Sequence, residues 1–346
     1  MIPHSRPSLG HREQEAVSRV IASKQIAAGE ESRAFEADVA GYVGRAYAAA
    51  VSSGTAALHL TLLAMGIGPG HEVVVPSYVC TALIHAVSYV GAKPVLADIH
   101  PRTGSLDPDD VIRRRTQRTR AVIVPHLLGR MAELAPFLDM DLPIIEDCAQ
   151  SIGATQAHWK AGGIGRAAVF SFYATKVITT GEGGMVITDD AELIETIRDL
   201  RDYDGKTPHR LRFNYKMTDM AAAMGRVQLD KLNGLIETRR SIARQYDEAF
   251  VNIAVDLPPS DPGHIYYRYV LQSSEPADAV IQQLREAGIA AARPISTPLH
   301  QILGQGGFPH TEAAHRRSVS IPIYPSLSPS AIKRVIDGVA SIYSNP

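Results

Sequence analysis

The chain has 346 residues, 45% of them hydrophobic and 21% charged, with a formal net charge of −1. That length exceeds what one simple core fills and sets an expectation of two domains, while the balanced charge gives no case for a nucleic-acid or membrane surface. Cys80 and Cys148 are too few for a disulfide framework or a cysteine-based zinc site; no apolar run reaches the roughly 18 residues of a membrane span and the first residues lack an apolar signal core, so a cytoplasmic protein without a bound metal is expected.

Apolar residues at helical spacing predict helices over 11–23, with Val17, Val20 and Ile21, and over 30–43, with Phe35, Val39 and Val43. A strand over 47–51 ends in Ser52-Ser53-Gly54-Thr55 and leads into a helix over 56–66. Strands over 72–76 and 93–98 flank a helix over 80–90, and apolar runs at 121–125, 143–147, 168–172 and 184–188 read as further strands. Residues 200–215 are polar and contain Gly and Pro, the signature of an exposed loop. A long helical pattern over 219–250 then leads to a strand over 266–271 and helices over 276–288 and near 329–343.

Strands that are apolar throughout and alternate with helices indicate an α/β fold, a mostly parallel central sheet between helices. The expected organisation is a large domain over 1–225 and a smaller α+β domain over 226–346. Ligands on such sheets sit at the carboxyl ends of the strands. The Ser-Ser-Gly-Thr turn, Asp147 and Ser171 therefore share one edge.

Lys176 follows Phe170-Ser171-Phe172-Tyr173 and precedes Gly181-Glu182-Gly183-Gly184, flanks that suggest burial and close backbone approach. A lone Lys is usually a solvated charge and a strand-end Asp is often a cap. Together, an amine able to form a Schiff base and a carboxylate at a strand end are the minimum equipment for pyridoxal 5′-phosphate (PLP) chemistry. Asp147 would pair with the pyridine nitrogen, Ala149 is small enough to lie flat under a ring, and Gln150 is placed to bond the phenolic oxygen. Gly54 and Thr55, opening a helix, offer N–H groups and a hydroxyl to a phosphate, with Ser171 as a second hydroxyl.

Several ordered stretches carry a resemblance. They are Ser52-Ser53-Gly54-Thr55-Ala56-Ala57-Leu58-His59-Leu60, Gly66-Ile67-Gly68-Pro69-Gly70-His71-Glu72-Val73, Gly91-Ala92-Lys93-Pro94-Val95, Ile145-Glu146-Asp147-Cys148-Ala149-Gln150-Ser151, Phe170-Ser171-Phe172-Tyr173-Ala174-Thr175-Lys176 and Asn214-Tyr215-Lys216-Met217-Thr218-Asp219. The chain resembles the DegT/DnrJ/EryC1/StrS family of PLP-dependent aminotransferases, fold type I, over nearly its whole length. The resemblance implies Lys176 as the Schiff-base lysine, Asp147 at the pyridine nitrogen, Gln150 at the phenolic oxygen, and Gly54, Thr55 and Ser171 at the phosphate. It implies Asn214 at the phosphate of the cofactor in the neighbouring subunit, hence a homodimer with shared active sites. It also implies transfer of an amino group, usually from glutamate, to a keto group of a nucleotide-linked sugar, with the cofactor alternating between PLP and pyridoxamine phosphate.

One position departs from the family pattern. Where many members place an aromatic residue four positions after a proline, against the cofactor ring, this chain has Cys80 after Pro76, with Tyr78 two residues earlier. Either could occupy the ring's open face. His126, Arg212, His300 and Tyr324 are candidates for substrate contact, with Arg210 beside Arg212, and ordinary packing or solvation is the competing reading for each. Cys148 reads as a buried structural thiol. The alternatives are a cyclitol or other small ketone as acceptor, another fold type I reaction, a dehydratase on the same scaffold, and a PLP-binding regulator. Dehydratases of this kind carry histidine at the lysine position, so Lys176 argues against them, and a regulator would carry a DNA-binding module that the chain does not show.

Overall fold

A computed structural model describes residues 1–343. Its centre is a seven-stranded sheet formed by β1 (Tyr47–Val51), β2 (Glu72–Pro76), β3 (Lys93–Ala97), β4 (Thr119–Pro125), β5 (Ile144–Asp147), β8 (Ala167–Ser171) and β9 (Gly184–Thr188). A short hairpin of β6 (Thr155–Gln156) and β7 (Trp159–Lys160) lies between β5 and β8 in the chain. The sheet order is β1-β9-β8-β5-β4-β2-β3. From β8 to β3 the neighbours pair parallel; β9 pairs antiparallel with both β8 and β1. The carboxyl ends of β1, β2, β3, β4, β5 and β8 therefore share one edge.

Side chains alternate across the sheet with period two, and both faces are dry. Val73, Val75, Ile123 and Ile145 join the core under the helices Gly54–Ala64, Ala82–Tyr89 and Ala191–Leu200. Val74, Val122, Val124 and Ile144 face the other way, onto Phe137, and beside them Ala48, Ala50, Phe170 and Ile187 pack on the helix Glu30–Val43 and on Leu232 and Ile236 of the helix Asp219–Phe250. Alternation thus sends the adjacent carboxylates of β5 to opposite faces. Asp147 points with Ile145, and Glu146 with Ile144.

Glu146 is completely buried and has a full set of partners. Its Oε1 accepts the N–H groups of Ile164 (2.8 Å) and Gly165 (2.6 Å), and its Oε2 that of Gly162 (2.9 Å). His126 Nε2 lies 2.8 Å from Oε2, and the His126 Nδ1 accepts the Ala132 N–H at 3.0 Å. Because Nδ1 must keep its lone pair for that bond, Nε2 carries the proton and donates to the carboxylate. Burial alone would push the Glu146 pKa up, but His126 and the backbone amides outweigh it and hold it below the ordinary carboxylate range. One side chain thereby fixes the end of β4, the end of β5 and the loop that feeds β8.

A second, smaller core is built on β10 (Val255–Asp256), β11 (Tyr269–Ser273) and β12 (Ser318–Ile321), in the order β10-β11-β12, with the helices Ala277–Glu286 and Pro329–Tyr343. The N-terminal segment belongs to it too: Ile2 bridges to Ile289 and is buried there. The strand expected over 266–271 begins three residues later. The stretch before it is captured by the large sheet's edge, where Ile265 N–H donates to the Gly129 carbonyl (2.9 Å) and Arg268 N–H to that of Leu128 (3.2 Å). The helix Pro309–Arg317 is absent from the sequence reading because it has no apolar stripe; Thr311 is its one buried residue. Its start is held instead by Asp98, which accepts the N–H groups of His310 (2.9 Å) and Thr311 (2.8 Å).

Glu146→Gln keeps the volume but removes the charge and turns an amide NH2 toward a backbone donor. The expected loss of stability is about 2–4 kcal/mol, read by urea unfolding near neutral pH. A carboxylate with a depressed folded pKa contributes stability that is present above its unfolded pKa and lost as pH falls through the folded one. The variant should therefore also lose part of the wild type's acid-side decline, and equal stability at neutral pH would contradict this role for Glu146.

Candidate active site

At the carboxyl edge, between β1, β5 and β8, lies a cavity of about 240 Å³. One end is the first turn of the helix Gly54–Ala64. Ser53 caps it, its Oγ accepting the Ala56 N–H at 3.0 Å. Gly54 packs so closely on β8 that a Cβ there would sit 2.9 Å from the Ser171 Cβ. A Cβ on Gly184 would collide with the Ser53 carbonyl, so glycine is required at both points for the helix start to lie against the sheet. Ser53, Gly54, Thr55 and Ser171 all line this end. Unpaired first-turn N–H groups and the helix dipole make it suited to an anion.

Asp147 lines the same cavity from the end of β5 and is 6% exposed. Burial raises its pKa, opposed in part by the Ala149 N–H, Lys176 and His126. The Ala149 N–H donates to Oδ1 at 3.0 Å, and this is the side chain's one hydrogen bond among the described residues. A desolvated carboxylate with spare acceptor capacity calls for a cationic or N–H donor in the cavity. Ala149 and Lys176 also line it. Gln150 stands beside Ala149 with its Oε1 held by the Leu128 N–H at 2.8 Å, which leaves its NH2 as the free donor.

Lys176 is half-buried, on the turn after β8 that is closed by its own N–H to the Tyr173 carbonyl (2.9 Å). Its Nζ lies 5.4 Å from the centre of the Tyr267 ring. Tyr267 was read in the sequence only as part of a strand. Burial would raise its phenol pKa, but Lys176 and Arg268, with a hydrogen bond from Thr175, bring it below the ordinary value. The signal that could have found it is the Tyr-Tyr-Arg-Tyr run, too aromatic and cationic for a plain core strand. Glu182 and the 46%-exposed Tyr173 are further cavity residues that the sequence reading passed over.

Of the two ring-face candidates, Cys80 opens on this cavity, whereas Tyr78 is buried in a separate cluster with Ile99 and Ile295. For the four substrate-contact candidates the structure favours the competing reading of packing or pairing. His126 is fully buried and spends both nitrogens on Glu146 and Ala132, so it faces the core and not a substrate. His300 is buried, 2.7 Å from the Ser77 Oγ and stacked on Phe308, where it docks the C-terminal segment on the large sheet. Tyr324 is packed in the second core. Arg212 gives its guanidinium to Asp199 (2.9 Å) and the Pro208 carbonyl (3.1 Å), and Arg210 is paired with Asp199 as well. Asn214 is exposed and does not line this chain's own cavity, with its neighbours Phe213 and Tyr215 pinned by N–H bonds to the carbonyls of Leu200 and Arg201. Cys148 is buried, its thiol pushed well up by burial and by the charges of Glu146 and Asp147.

An anion cradle, an amine and a desolvated carboxylate thus line one small cavity. The sequence matches the DegT/DnrJ/EryC1/StrS aminotransferase family over residues 7–340. The chain belongs to this family. Family membership makes it an aminotransferase of a PLP-dependent group. It is 36% identical over 325 residues to the GDP-perosamine synthase of Caulobacter vibrioides, covering 87% of each chain. It is 34% identical to the dTDP-4-dehydro-2,3,6-trideoxy-D-glucose 4-aminotransferase of Saccharopolyspora spinosa, covering 97% of this chain and 95% of that one. The crystal structure of the aminotransferase TlmJ from Streptoalloteichus hindustanus superposes with a TM-score of 0.94 at 30% identity, over 99% of this chain and 98% of that one. Among the described residues no helix is long and apolar enough to cross a membrane.

Gly54→Ala tests the family site's cradle directly. The added methyl would push the helix start off Ser171, and PLP retention on dialysis should fall about tenfold with the far-ultraviolet dichroism unchanged. Unchanged retention would show that the helix start does not hold the phosphate.

Proposed function

We infer that the protein moves an amino group from an amino acid, glutamate, to a keto group of a nucleotide-linked sugar, in the biosynthesis of an amino sugar. The observation that carries the reading is the single cavity shared by Lys176, Asp147 and the Gly54–Ser171 cradle. Two relatives named for nucleotide-sugar chemistry support the choice of acceptor.

The residues fit PLP. The orphan N–H groups at the helix start, with the Thr55 and Ser171 hydroxyls, suit its phosphate, and the under-partnered Asp147 suits a protonated pyridine nitrogen. Ala149 leaves a flat floor beside it, Cys80 lines another wall, and the Gln150 NH2 can donate to the phenolic oxygen. Bound there, PLP supplies an electron sink for a carbanion at the substrate carbon. Asp147 would keep the ring nitrogen protonated, because an ionised carboxylate in a desolvated site stabilises a cation beside it. Lys176 would hold the cofactor through its amine, and the same amine, when free, would take the proton from the donor's α carbon. For the keto acceptor it would return a proton to the carbon that receives nitrogen. One flexible primary amine can bond, leave, and carry protons; arginine cannot be deprotonated at working pH.

The exposed Asn214 side chain makes no hydrogen bond among the described residues, and Tyr203 and Leu211 nearby in the chain are 54% and 72% exposed. These features support a homodimer in which Asn214 reaches the cofactor phosphate of the partner. The protein is read as cytoplasmic, where nucleotide sugars are made.

Lys176→Ala should keep PLP by its non-covalent contacts and lose 2-oxoglutarate release from glutamate by at least about 10³-fold. Turnover at the wild-type rate would end the reading, and turnover with cyclitol ketones but not nucleotide-linked keto sugars would move the acceptor class. Chains carrying Asn214→Ala should lose PLP faster than wild type. Mixed dimers of Lys176→Ala and Asn214→Ala chains hold one site with both lesions and one with neither, so mixing should restore tight PLP retention and turnover to one site of two. No recovery in verified mixed dimers would contradict sharing.

A further inference from the structure

A cavity larger than the one described above lies elsewhere in the chain. About 430 Å³ in volume, it lies at the same sheet edge over the ends of β3 and β4 and is roofed by the second core. It shares no lining residue with the Lys176 cavity. Its size falls in the range of small-molecule sites. One wall is apolar, made by Ile99, Leu127, Leu257, Pro258 and Pro259.

Another part of the lining is cationic. Arg102, Arg130, Arg268 and Arg317 line it, and the one carboxylate among the lining residues is Asp256. Asp256 is already paired with Arg317 at 3.0 Å. The other three have no carboxylate within salt-bridge distance among the described residues. Arg130 touches the Thr103 carbonyl, and Arg268 lies 4.6 Å over the Tyr267 ring with an NH2 3.3 Å from its hydroxyl. Burial lowers the Arg130 pKa, partly offset by Asp261, so the guanidinium gains by acquiring a counter-charge. Three uncompensated guanidinium groups around one cavity repel one another, and each presents the planar fork that matches a phosphate. Thr103 and Ser105 line the same space.

We propose that this cavity is a separate binding site for a small phosphate ester, its dianionic head on Arg102, Arg130 and Arg268 and its organic body against the apolar wall. Two contacts join the site to the Lys176 cavity. Leu128 lines the new site, sits in the left-handed region at φ 62°, and donates its N–H to the Gln150 Oε1 at 2.8 Å. Arg268 stacks on Tyr267, whose ring lies 5.4 Å from the Lys176 Nζ. An occupant that draws Arg268 toward its phosphate loosens that stack, so binding is felt at the amine. The site regulates or tunes the family reaction, and its existence does not depend on which sugar is the acceptor.

The test is calorimetric titration of the PLP-loaded protein with phenyl phosphate, an aryl body on a dianion, with benzoate as the monoanionic control. One phenyl phosphate per chain should bind, benzoate at least about tenfold more weakly, and the cofactor absorbance band should shift in step. Arg102→Met, at an exposed position that should not affect folding, and Arg130→Met should each weaken phenyl phosphate about tenfold or more and leave PLP content unchanged. No saturable binding to the loaded protein, equal affinity in both variants, or benzoate binding as tightly would overturn the proposal. So would binding seen only after PLP is removed, which would place the probe in the Gly54–Ser171 cradle, or competition by the nucleotide-linked acceptor, which would place it in the substrate site.

Discussion

Everything in the Lys176 cavity hangs from a carboxylate that never meets it. Glu146 is buried without exposure, accepts three backbone N–H groups from 162–165 and one ring N–H from His126. A buried charge of this kind is costly unless every lone pair is used, and a half-satisfied version would be worse than an apolar residue. Fully satisfied, it locks the exits of β4 and β5 and the entry to β8. Asp147, the next residue, is presented on the other face at a fixed height, and Ser171 ends the strand that the same loop feeds. The period-two alternation of one strand separates the carboxylate that builds the cavity's frame from the carboxylate that lines it.

The working half uses the opposite economy. Asp147 is desolvated and given a single backbone donor, so it is ready to pair with a cation. The helix start at Gly54 is likewise under-partnered, with glycine at 54 and 184 permitting a backbone approach that no side chain would allow. Lys176 lies between these ends on a tight turn, its Nζ near a phenol whose pKa several neighbouring cations have lowered. Incomplete partnering where a ligand goes, and complete partnering just behind it, is what a binding site in a parallel sheet requires.

The fold was legible where local patterns and burial agree. Apolar strands at 47–51, 72–76 and 184–188 and the helices at 11–23, 30–43 and 219–250 stand where their periodicity puts them. The strand after 266 was misplaced because Ile265 and Arg268 bond to the loop after β4, a tertiary contact that no window of sequence contains. The helix Pro309–Arg317 was missed because Asp98, more than 200 residues away, holds its first turn. Lys176, Asp147, Gly54 and Ser171 were readable as motifs. His126 and His300 misled because a histidine at a strand end or in a motif looks the same from sequence whether its nitrogens face ligand or core; here Ala132, Glu146 and Ser77 claim them. Tyr267 is brought to Lys176 by the second core folding back over the sheet edge, which sequence spacing does not encode.

The proposed chemistry requires Lys176 to be the residue that joins covalently to the cofactor. Borohydride reduction of the PLP-loaded protein followed by peptide mass mapping reads this without any substrate. The predicted result is one reduced pyridoxyl group per chain, on the peptide that contains Lys176. A protein that takes up no PLP, or a pyridoxyl group fixed on any other lysine, would contradict it.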